Sequence, residues 1–135
     1  MPPKTPNAKP KAVTSAELHK LRAESVRTLT EMEEAIVRTR NQLRFMETLM
    51  RRVRRMLESG GSATEVARLA SAAQARANMS EIIREVQGAR HQAQRAQFRL
   101  AVAEGATLAE IARTWGVSRQ LVSRMVKEPN PRGRG

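Results

Sequence analysis

The chain has no cysteine, no aspartate and no tyrosine, and its 135 residues include only two phenylalanines and one tryptophan. Without cysteine there is no disulfide and no thiolate metal site. Without aspartate, all 13 acidic residues are glutamates, so paired aspartates of the kind used in acid–base or metal chemistry are excluded. The two histidines, His19 and His91, lie far apart with no ligand spacing around them, and both read as surface or seam residues. No metal or cofactor is expected. No Ser-His-acid order and no phosphate-binding glycine loop is present, so an enzyme is not expected either. So few aromatics fill a globular core poorly, but they suit helices packed along seams of Ala, Leu, Val and Met. Proline is confined to residues 2–10 and 129–131, and glycine falls mainly at turns and in the last residues. With the helix breakers held out of the long middle stretches, the expected class is all-α. No apolar run is long enough to span a bilayer. The Met1-Pro-Pro-Lys4 start has no apolar centre and is not expected to be a secretory signal.

What the chain has in excess is positive charge: 25 Lys and Arg against 13 Glu, a net +12. That balance asks for a polyanionic partner, nucleic acid before an anionic membrane surface. Residues 1–13 form a Pro- and Lys-rich arm that cannot pack and reads equally well as a solvated tail or as a phosphate-touching extension. Residues 128–135 form a second basic tail. Its Arg132-Gly133-Arg134 is similar to the core of an AT-hook, in which two arginines lie in an A·T minor groove, although a plain solubilising tail is the commoner use of such a sequence.

Between the arms the pattern is helical. Thr14 and Glu17 make a capping box with Val13 and Leu18 as its staple, and neither Pro nor Gly recurs before Gly60. About 45 helical residues, roughly 65 Å, fit in that interval. Leu18, Leu21, Ser25, Thr28 or Leu29, and Met32 lead into Ile36, Thr39, Leu43, Met46, Met50, Val53 and Leu57, spaced three and four apart as in a coiled-coil seam. Arg51-Arg52-Val53-Arg54-Arg55 suits a helix C-terminus electrostatically and could also face phosphates. Ser59-Gly60-Gly61-Ser62 is the turn, and Ser62 with Glu65 starts the return. From there Val66, Leu69 and Ala73 are expected to face inward. Asn78 with Glu81 has the spacing of a fresh capping box, which would put a break or kink near residues 77–79. Met79, Ile82, Val86, Ala89, Ala93, Ala96, Leu100 and Ala103 form the second seam. The expectation is a long antiparallel helical hairpin or coiled coil over residues 14–104, with self-association through it.

The stretch from Thr107 to Lys127 carries the functional expectation. Thr107 and Glu110 make a capping box, Gly116 ends a short helix, and Ser118 caps a second one with Val117 and Val122 as staple. Ile111, Trp115, Val122, Met125 and Val126 face inward, helped by Phe98, Leu100 and Val102 from the preceding helix. Ser118, Arg119, Gln120, Ser123, Arg124 and Lys127 fall on the outer face. Arg pairs bidentately with guanine, Gln with adenine, and Ser and Lys with phosphates. The spacing of Ile111, Ala112, Trp115, Gly116, Val117, Val122 and Met125 resembles the helix-turn-helix DNA-binding domains of bacterial regulators and of resolvases and invertases, over residues 98–127 only. That resemblance implies a C-terminal helix-turn-helix whose second helix enters a major groove, with Ser118, Arg119, Gln120, Ser123, Arg124 and Lys127 as its DNA contacts. A resolvase's catalytic domain, with its nucleophilic Ser, is not expected in these residues.

The expected protein is a sequence-specific binder of double-stranded DNA, a transcriptional regulator working in the cytoplasm as a homodimer or larger homo-oligomer, with no membrane or small-molecule partner. Two alternatives stand beside it. A phage or plasmid DNA-handling protein, such as a terminase small subunit or a centromere-binding partition protein, would share the layout. A coiled-coil scaffold would use the helix-turn-helix for protein contacts.

Overall fold

The computed structural model describes residues 13–129, which form five helices and, among the described residues, no strand. Helix α1 spans Ser15–Glu58, α2 Ala63–Leu69, α3 Ala72–Ala103, α4 Leu108–Trp115 and α5 Arg119–Lys127. The protein is all-α.

The chain divides into two compact units, to both of which α1 and α3 contribute. One comprises residues 27–94. Here α1 and α3 run antiparallel, tied by Arg38 Nε donating to Glu85 Oε1 at 2.6 Å. Gly60 and Gly61 close the turn by donating to the carbonyls of Leu57 and Met56, each at 3.0 Å. Gly60 has φ +90°, a left-handed conformation that glycine adopts without a Cβ penalty. At Gly61 the constraint is space, because a Cβ would meet the Met56 carbonyl oxygen at 2.9 Å and Val66 Cγ2 at 3.0 Å. Ser62 then caps α2, its hydroxyl accepting from the Glu65 amide at 3.3 Å.

Two expectations are corrected in this unit. No break occurs at residues 77–79. Asn78 Oδ1 accepts from Gln74 Nε2 at 2.8 Å inside a continuous α3. The alanines around it carry the helix through. The interruption comes earlier, at Ser71, whose φ of +53° separates α2 from α3 and leaves Leu69 and Ala73 exposed while Val66 is buried. The inward row of α1 also differs. Thr28 and Ala35 are buried, with Met32, Thr39, Met46, Leu49, Val53 and Met56 half-buried, while Leu29, Ile36, Leu43, Met50 and Leu57 stay exposed. Two adjoining rows of α1 are both apolar, and the hairpin buries the one that holds Thr28 and Ala35.

The other unit comprises, among the described residues, 13–26 and 95–129. The start of α1 is capped as the sequence predicts: the Glu17 amide donates to Thr14 Oγ1 at 3.1 Å and the Thr14 amide to Glu17 Oε2 at 3.2 Å. Arg22 of α1 pairs with Glu104 beyond the end of α3 at 2.8 Å. A small apolar core forms from Phe98, Ile111, Ala112, Val122 and Met125, ringed by partly buried Ala101, Ala106, Leu108, Val117, Leu121 and Val126.

Candidate nucleic-acid interface

Helix α4 opens on Thr107 with both halves of a capping box: the Glu110 amide donates to Thr107 Oγ1 at 3.1 Å and the Thr107 amide to Glu110 Oε2 at 3.2 Å. It ends at Gly116 with φ +67° and ψ +35°, the left-handed cap. Two residues later Ser118 starts α5, its hydroxyl accepting from the Leu121 amide at 3.0 Å. The three-residue link between α4 and α5 is therefore fixed at each end by a cap, and α5 packs back on α4 through Val122 and Met125, both fully buried.

Burying that face sets the opposite one outward. Ser118, Arg119, Gln120, Ser123, Arg124 and Lys127, with Leu108 at the edge, line one open cleft of about 750 Å³. Ser118, Arg119, Gln120, Arg124 and Lys127 are exposed and Ser123 is half-buried. All six sequence-expected residues of this helix thus come together on one surface. Among the described residues no carboxylate pairs with Arg119, Arg124 or Lys127, whereas Arg22, Arg38, Arg51, Arg54, Arg68 and Arg84 each pair with a glutamate. The expected minor-groove residues Arg132 and Arg134 lie outside the described residues. In the Arg51–Arg55 run, Arg51 and Arg54 are taken up by Glu47 and Glu58, while Arg52 and Arg55 line a second cleft with Ser59 and Glu65.

At the C-terminal end of α5 sits Arg95, a residue the sequence reading passed over. It is 1 % exposed, and its Nη2 donates at 2.5 Å to the carbonyl of Glu128, the C-cap of α5. Burial pushes the Arg95 pKa down, with the Arg99 charge adding to the effect and Glu24 and Glu128 opposing it. A cation at the carbonyl end of α5 is favourable against the helix dipole and pins that end to α3. The signal in the sequence was its place three residues before Phe98, on the same helical face.

Trp115 differs from expectation as well. It meets Phe98 edge-on, centroids 5.1 Å apart at 88°, yet keeps 39 % of its surface in water. Val102, expected in this core, is also exposed. Phe98 is the residue the core closes on.

Among the described residues no group of three His or Glu side chains could hold a metal ion, and no helix is long and apolar enough to cross a membrane. Compared with known proteins, the chain matches no family model, no curated protein and no solved structure.

Proposed function

We infer that this protein binds double-stranded DNA sequence-specifically, as a transcriptional regulator associated with the nucleoid in the cytoplasm, and that it works as a homo-oligomer. One observation carries the inference: an exposed helix face presents Arg119, Gln120, Ser123, Arg124 and Lys127 with no carboxylate partner for its cations among the described residues. Folding has no need of such a set, since α5 is held by its buried face and by its caps. The net charge of +12 supports the same partner. So does the likeness of residues 98–127 to helix-turn-helix domains, whose recognition helix meets base edges near its N-terminus. On this reading Arg119 and Gln120 read bases first, Arg124 reads one turn later, and Ser118, Ser123 and Lys127 hold phosphates. A single such helix commonly works with a second copy on a second half-site, which is why an oligomer belongs to the proposal.

The test is selection of bound duplexes from a random pool by the full chain. Enrichment of one motif supports the assignment. Retention of all sequences alike makes the protein a general DNA binder. No retention at low salt removes DNA and leaves the outer face of α5 to a protein partner.

A further inference from the structure

Along α1 the residues left outside the hairpin keep a strict repeat: Leu29, Ile36, Leu43, Met50 and Leu57 stand seven apart and are each between 39 and 51 % exposed. Over these 28 steps the stripe runs about 42 Å. A seven-residue repeat of large apolar side chains is the spacing at which one helix meets another of the same repeat. The stripe also borders an apolar cavity of about 430 Å³, whose lining includes Met50 and Leu57.

Four residues on from each of the first four members lies a charged one: Glu33, Arg40, Glu47 and Arg54, all exposed. The signs alternate along the row. Among the described residues Glu33 and Arg40 have no ion-pair partner, while Glu47 and Arg54 make only exposed contacts within their own helix, to Arg51 and Glu58.

We propose that this stripe is the self-association surface of the protein, and that two copies of α1 pair on it antiparallel about a two-fold axis at Leu43. Antiparallel pairing about that axis stacks Leu29 on Leu57 of the second copy, Ile36 on Met50 and Leu43 on itself. It then sets Glu33 against Arg54 of the second copy and Arg40 against its Glu47, so all four charges meet an opposite sign. Sliding the antiparallel pair by one heptad sets Glu against Glu and Arg against Arg, which is repulsive. In a parallel pair the charged row instead faces the row one residue before the stripe, Thr28, Ala35, Gln42, Leu49 and Met56, which carries no charge, so the four charges go unmatched. Staggering the parallel pair by one heptad leaves the charges unmatched as well, and the pair does not close. The charge row therefore selects a closed antiparallel dimer.

This deepens the oligomeric part of the function proposed above, and its test uses no DNA, so a failure here is distinguishable from failure of the DNA assignment. Light scattering on the full chain at tens of micromolar should give the mass of two chains; a monomer overturns the proposal. Because the chain has no cysteine, Glu33→Cys and Arg54→Cys chains can each be oxidised alone and then mixed. The expected result is an inter-chain disulfide only in the mixture. Self-linking of the Glu33→Cys chain alone, or no link in the mixture, overturns the antiparallel register. As a second check, Arg40→Glu should raise the dimer dissociation constant about tenfold and addition of Glu47→Arg should restore it. No change on Arg40→Glu contradicts the charge pairing.

Discussion

At the scale of single residues, Phe98 and Trp115 divide roles that the sequence pattern assigned jointly. Both stand at core spacing, but Phe98 is fully buried whereas Trp115 keeps its outer edge in water. Phe98→Ala should cost about 3–5 kcal/mol of stability, as for a buried aromatic, and Trp115→Ala only about half of that. Urea denaturation followed by circular dichroism at 222 nm reads both, and equal losses would contradict the placement of Trp115. Periodicity shows which face a residue occupies but not how far the neighbouring helix covers it, so the large aromatic was expected deeper than it lies. Arg95 is the converse. A charged residue on a core face is usually discounted, and its burial follows from a contact with the Glu128 carbonyl, 33 residues away, that no local pattern announces.

At the scale of elements, the ends were more legible than the middles. Thr14, Ser62, Thr107 and Ser118 each cap the helix expected of them, because a cap is a local hydrogen bond between a hydroxyl and an amide two or three residues on. The Ser71 break was not legible, since serine with positive φ carries no local signal, and Asn78 imitated a cap that α3 does not use. The inward row of α1 was only half legible, because two adjoining rows are both apolar enough to form a seam. Gly88 gives a prediction at this scale. It lies inside α3 with nothing within 4 Å of the position a Cβ would take. Gly88→Ala should therefore raise stability by about 0.5–1 kcal/mol through helix propensity. A thermal melt showing a lower midpoint for the alanine variant would mean that this part of α3 is not helical in solution.

At the scale of the whole molecule, the charge of +12 is distributed unevenly in its effect. Many of the α1–α3 arginines are matched by glutamates on their own or a facing helix, exposed pairs that contribute little to stability. The α5 cations are unmatched among the described residues and share one exposed face, so on the proposed reading they are the ones that meet phosphate. The DNA affinity of the full chain should fall steeply with salt, the slope of log K against log salt reaching about −3 or beyond for three or more phosphates engaged. Fluorescence anisotropy of a labelled duplex across a salt series measures it. A flat response would place the contact away from the basic surface. The all-α class was readable from the sparse breakers and aromatics, while the division of the two compact units at residues 26/27 and 94/95 was not, because α1 and α3 run through both without a change of composition.

The most direct test of the account is binding of the selected duplex by Arg119→Ala, Arg124→Ala and Lys127→Ala beside the parent, with circular dichroism on the same samples. All three side chains are exposed, so none of the variants should lose helix content. Arg119→Ala and Arg124→Ala should each lose about 1–3 kcal/mol on the preferred site and relax base preference at one position. Lys127→Ala should weaken binding to all duplexes alike. If Arg119→Ala and Arg124→Ala both bind the selected duplex as tightly as the parent, α5 does not read DNA.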